Sequence, residues 1–138
     1  MRMSDYISVL IFNQSLVEVG IIANTAFVLG LTAGRSLPEE TFGPEVVDGE
    51  NHTHTYLTCI GHYVRKAGAS KLRTLRDTFA TMPDVQLVDY TEDAAPADYE
   101  AYTTALRSHR GEEIVYRAIH VYGPAETIIP LTKNLSRM

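Results

Sequence analysis

The residues most capable of chemistry gather at the ends of apolar runs. Asp89-Tyr90-Thr91 follows Val85 to Val88. A carboxylate and a hydroxyl at a strand's carboxyl end can work as an acid/base and a positioning donor, which makes Asp89 and Thr91 the candidate catalytic pair. Asn24 is an amide one turn into an otherwise apolar helical stretch, and Gly20 opens that stretch with a backbone N–H able to face a polar or anionic group. Asn13 closes the first apolar run and Gly123 precedes Pro124 after the last one, so both join the candidate ligand-binding set. Each type also has an ordinary structural use, since Asp and Asn are common turn residues.

Other constellations are weaker. His52 and His54 stand two apart, so a strand would point both to one face as metal ligands, yet they follow a turn where solvated histidines are common. His120, between Ile119 and Val121, reads as a hydrogen-bonded core or pocket residue, and His62 as its neighbour if their strands pair. Cys59 and His62 are three apart, which separates them on a regular strand, and the thiol is expected to be buried. Neither GxGxxG nor a Walker A sequence occurs, so no nucleotide site is expected, and the sequence implies no metal and no cofactor.

The chain that must position these groups has 138 residues, 12 Lys+Arg against 17 Asp+Glu for a formal charge of −5, 45% hydrophobic residues and one cysteine. Such numbers fit one domain over residues 1–138 with a single packed core. One cysteine cannot form an internal disulfide, so a reducing, cytoplasmic setting is expected. The first apolar run is far short of the roughly 20 residues that span a bilayer, and no membrane partner is expected. An acidic total argues against nucleic-acid binding, which draws on Lys and Arg to neutralise phosphates. Locally, Arg65, Lys66, Lys71, Arg73 and Arg76 form a basic cluster that is either a solvated face or a docking patch for an acidic partner.

Strand and helix patterns alternate. Tyr6 to Phe12 is a near-continuous β-branched and aromatic run, the mark of a central strand buried on both faces. Ile21 to Leu31 follows at helical spacing, ended by Gly34 and Pro38. Val46-Val47 leads into Asp48-Gly49, a two-residue hairpin signal, with strand continuing to Tyr63. Ser70 is placed to cap a helix to about Thr81 with Leu72, Leu75 and Phe79 on its apolar stripe. Val85 to Val88 predicts a strand, Asp98 a third helix cap, Ile114 to Tyr122 the last strand, and a short helix runs to about Pro130. Alternation of this kind predicts an α/β domain with a mostly parallel sheet and ligand sites at strand carboxyl ends.

The order of pieces, with Gly20-Ile21-Ile22-Ala23-Asn24 opening the first helix and Tyr122-Gly123-Pro124 through Leu131-Thr132-Lys133-Asn134-Leu135 at the terminus, resembles a bacterial family catalogued as a domain of unknown function. That family is similar in fold to type-2 peptidyl-tRNA hydrolases. The resemblance implies a three-layer α/β/α sandwich around a mixed four-stranded sheet, commonly a homodimer. It also implies a cleft that binds or hydrolyses a small ligand. In those hydrolases the helix-opening motif begins with a catalytic lysine, which falls on Gly20 here, while Asp89 matches their strand-end aspartate and Asn24 stands where they carry Gln. Loss of that ammonium turns the expectation away from tRNA as a partner and toward a small molecule.

Overall fold

The computed structural model describes residues 5–94 and 98–138. In chain order the elements are β1 (Tyr6–Asn13), α1 (Val19–Gly34), β2 (Val46–Val47), β3 (Thr53–His54), β4 (Gly61–Ala67), α2 (Ala69–Ala80), β5 (Gln86–Thr91), α3 (Tyr99–Ser108), β6 (Tyr116–Pro124), α4 (Ala125–Thr132) and β7 (Ser136–Arg137). Single turns of 3-10 helix at Glu39–Thr41, Glu92–Ala94 and Gly111–Glu113 join them.

The main sheet has the order β5-β6-β1-β4-β7, with β2 and β3 forming a separate hairpin. As its apolar run predicts, β1 is interior: it pairs parallel with β4 and antiparallel with β6. The sheet is mixed and five-stranded, where four strands are expected from the resemblance and a mostly parallel arrangement from the alternation. β5 pairs antiparallel with β6, and β7 antiparallel with β4. β7 is too short to carry a periodic signal and exists because the chain end meets Arg65 and Lys66 on an open edge.

Strand direction decides where the predicted residues lie. Because β6 runs against β1, Gly123 pairs with Ile7 at the start of β1, while Phe12 at the far end faces Ala118. Gly123 therefore sits at the end of the sheet opposite to Asn13 and Thr91.

Alternation along β1 divides the core. Ile7, Val9 and Ile11 pack with Leu72, Leu75 and Phe79 of α2 and Ile128 of α4. Phe12, with Leu10 beside it, packs with Leu29, Ile22 and Ala26 of α1, joined by Ala118 and Tyr90. Burying a side chain of this size contributes about 2 kcal/mol, so the two clusters dominate the fold. α1 contains no Asp, Glu, Lys or Arg, and Val19, Phe27 and Leu31 on its outer side are exposed.

Three local expectations change. The hairpin loop is Asp48 to His52, since Val47 pairs with Thr53, and the left-handed residue is Asn51 at φ 67° instead of Gly49. Asp48 organises that loop: its Oδ1 accepts the Glu50 and His52 N–H groups at 2.8 and 3.0 Å, and its Oδ2 lies 2.8 Å from His54 Nε2. These bonds hold the Asp48 carboxyl below its usual range. At α2 the N-cap is Gly68, directly after β4, which puts Ser70 inside the first turn. Pro130 lies within α4 rather than ending it, at an exposed position where the bond its missing N–H would have made is tolerable. Asp98 caps α3 as expected, accepting the Glu100 and Ala101 N–H groups at 3.0 and 3.1 Å.

Candidate functional site

Of the residues the sequence singles out, Asn24 and Asp89 both border one cleft, without a contact between their side chains. It is about 500 Å³ in volume and opens at the β5 edge between α1 and α3, with Tyr90, Asp98, Tyr99 and Tyr102 among its walls. Asn24 is exposed there. Asp89 sits between Val88 and Tyr90, which face α1, so alternation turns its side chain the other way. Its Oδ2 accepts the Arg76 Nε–H of α2 at 3.0 Å. Arg76 also lies 5.5 Å from the Tyr116 ring centre and 3.2 Å from Asp77. The carboxylate thus has a partner, a helix guanidinium thirteen residues earlier.

Asn13 and Thr91 come together around Tyr116. Asn13 is buried, donates its Nδ2–H to the Tyr116 carbonyl at 3.2 Å and accepts the Ser15 N–H at 3.0 Å. Thr91 pairs with Tyr116 across a register shift, and its buried hydroxyl has no hydrogen-bond partner among the described residues. Gly20 lies in the first turn of α1, where a Cβ would meet only open space. At Gly123, by contrast, a Cβ would lie 3.1 Å from the Asp84 carbonyl, 3.1 Å from Val85 Cγ2 and 3.3 Å from Ile128 Cδ1. Gly123 allows elements to pack closely.

Two members of the basic cluster, Arg73 and Arg76, are engaged within the fold. Arg73 donates to the carbonyls of Gly111, Glu112 and Ile114 at 2.7, 3.1 and 2.7 Å and so ties α2 to the chain entering β6. Cys59 is exposed, contrary to the buried-thiol expectation, because β4 starts only at Gly61 and the thiol borders the Glu39–Thr41 turn, 3.5 Å from the Thr41 carbonyl. His52 and His54 stay at the Asp48 loop, exposed. Among the described residues, no group of three His, Cys, Asp or Glu side chains could hold a metal ion, and no helix is long and apolar enough to cross a membrane.

A second cavity holds His62 and His120, whose strands flank β1 without pairing to each other, and adds Ser8 and Thr58, which the sequence does not bring to them. It is about 290 Å³ and lies between the last turns of α1 and the α1-facing side of β1, β4 and β6. Register makes it: Ser8 pairs with His62, and His120 pairs with Leu10. Ser8 and His120 are both buried, with Ser8 Oγ 2.6 Å from His120 Nε2. Nearer the surface, Thr58 Oγ1 lies 2.5 Å from His62 Nε2. α1 leaves the room by presenting Ala26, Gly30, Ala33 and Gly34, and a Cβ at Gly30 or Gly34 would meet nothing within 4 Å.

Burial pushes the His120 imidazole down to about 4, with the His62 charge as a smaller cause, and burial also lowers His62. At neutral pH the His120 ring is therefore uncharged, with one nitrogen to accept and one to donate. An accepting Nε2 would draw on the Ser8 O–H as a base does on a nucleophile. The carboxyl end of α1 adds the negative potential of its helix dipole, which favours donor groups over anions. The legible signal is a serine inside YISVLIF and a histidine inside AIHVY, polar residues in two otherwise apolar strands. What hides the site is its location, at the amino ends of β1 and β4 and away from the strand ends where α/β sites are sought.

Comparison with solved structures finds a protein of unknown function, Atu0240, from Agrobacterium tumefaciens strain C58, with a TM-score of 0.77 at 16% identity, covering 97% of this chain and 98% of that one. Similarity at that identity extends to the fold alone. No curated protein matches the chain. The profile of DUF2000, described as a protein of unknown function, matches residues 8–138, and the chain therefore belongs to the DUF2000 family.

Proposed function

We propose that this protein binds a small, uncharged, donor-bearing molecule, such as an alcohol or a primary amide, in the cavity over Ser8 and His120. The observation that carries the reading is the 2.6 Å contact between Ser8 Oγ and His120 Nε2 inside a cavity that α1 keeps open with glycine and alanine. Convergent polar groups in a pocket of otherwise small or apolar walls, one of them with a displaced pKa, are the usual marks of a ligand site. With this reading we take the three-layer, peptidyl-tRNA hydrolase 2-like arrangement, supported by helices packed on both sheet faces. The uncharged outer side of α1 supports a homodimer.

A thermal-shift screen of neutral alcohols and amides checks the binding. Hits are expected to raise the melting temperature of the wild type and to lose that effect in Gly30→Leu, whose side chain enters open space at the cavity wall. Hits that act equally on both proteins would place the site elsewhere.

The same contact favours hydrolysis of a small ester as a second reading: Ser8 Oγ attacks the carbonyl as His120 Nε2 takes its proton, the C–O bond to the alcohol breaks as that proton passes to the leaving oxygen, and water, deprotonated by the same nitrogen, then releases the acid from Ser8. Release of p-nitrophenol from its acetate is then expected to fall by about 100-fold or more in His120→Gln, the scale on which general-base assistance acts. Equal rates in the two proteins would leave binding alone. Asp89 and Thr91 are not called on in either reading, since Arg76 engages the Asp89 carboxylate and the Thr91 side chain is buried.

A further inference from the structure

On the α2 and α4 side of the sheet, a groove of about 250 Å³ is lined by Ile7, Val9, Tyr63, Arg65, Ile129, Thr132 and Lys133. Its floor is apolar, Ile7 and Val9 being buried, and Tyr63 forms an exposed wall. Two cations border it, and a third is held next to them: β7 brings Arg137 directly opposite Arg65. Like charges in directly opposed cross-strand positions are destabilising. Among the described residues none of Arg65, Lys133 and Arg137 is ion-paired, although the chain as a whole is acidic at −5. Arg65 instead rests 5.4 Å from the Tyr63 ring centre and donates one Nη1–H to the Val64 carbonyl at 2.9 Å, which leaves the rest of its fork for an acceptor.

We propose that this groove is a second binding site, for a small carboxylate with an apolar body. Arg65 would take the carboxylate, Lys133 would add a point charge, and the Ile7, Val9, Ile129 and Tyr63 surfaces would cover the hydrocarbon. The apolar floor separates this ligand from inorganic phosphate, which has the charge and no body to bury. The site lies on the opposite side of the sheet from the Ser8 and His120 cavity, with Tyr63 the one residue common to the two linings, and does not depend on the reading of that cavity.

Isothermal titration of the full chain with hexanoate, hexanamide and inorganic phosphate tests the proposal. Hexanoate is expected to bind, with at least 10-fold weaker binding of hexanamide and of phosphate. The Arg65→Gln/Lys133→Gln double variant is expected to lose at least 10-fold toward hexanoate while keeping the wild-type melting temperature, and Arg65→Lys to recover part of that loss. Equal binding of hexanoate and hexanamide, phosphate binding as tightly as hexanoate, an unaffected double variant or no binding of hexanoate at all would each overturn it.

Discussion

Acidification from pH 7 to pH 4 is expected to cost the fold about 3 kcal/mol through His120 alone. The folded protein holds this imidazole neutral down to about pH 4, because burial at 8% exposure penalises its charged form, whereas the unfolded chain takes up the proton near the ordinary 6.5. Between those values the unfolded state binds more protons, so the stabilising contribution is complete above about pH 6.5 and is lost as the pH falls to 4. His62 is shifted in the same direction by burial but sits at the surface and contributes less. Asp48, held low at the loop, is lost only under more acid conditions. Denaturant midpoints across this range, for the wild type and for His120→Gln, isolate the effect; the glutamine keeps a partner for Ser8 without titrating. The wild-type curve is expected to fall more steeply than the variant's, the gap between them growing by about 3 kcal/mol from pH 7 to pH 4, and parallel curves would mean that His120 is solvated.

Replacing Gly123 is expected to destabilise the protein by about 1–3 kcal/mol for alanine and by more for valine, the range seen when a packed site is overfilled. One of the three atoms a Cβ would meet is the Asp84 backbone carbonyl, which cannot swing aside as a side-chain tip can. Relief would require parting β6 from the chain entering β5 or displacing Ile128 of α4, and Ile128 is fully buried in the larger core cluster. Chemical denaturation of Gly123→Ala measures this directly. If the glycine served a bound ligand instead, the variant would unfold at the wild-type midpoint.

What could be read from the chain follows from how local each cause is. β1 declares itself through seven consecutive apolar or small residues, the Leu72, Leu75 and Phe79 stripe through helical spacing, and the α3 start through the Asp98 side chain. None of these needs information from elsewhere in the chain. Pairing does. Whether β6 runs with or against β1 decides that Gly123 lies opposite Ile7, and no residue near Gly123 records it. Asp89 appears partnerless until α2 packs and supplies Arg76, and Ser8 is unremarkable until β1 and β6 bring it to His120, 112 residues away. The hairpin loop failed on a local rule that another local rule outweighed: Asp48 uses its own side chain to build a five-residue loop, and Asn51 takes the left-handed conformation offered by Asp48-Gly49 to a glycine.

Placement of a ligand over Ser8 and His120 is tested most directly by histidine ring NMR during titration with the strongest hit from the neutral alcohol and amide screen. The ring signals of His120 and His62 are expected to move together and to saturate with one stoichiometry, while those of His52 and His54 at the Asp48 loop and of His109, 3.0 Å from Asp93 Oδ2, stay in place. Unmoved His120 and His62 signals, with the shifts appearing at the Asn24 side-chain amide in the β5-edge cleft, would contradict it.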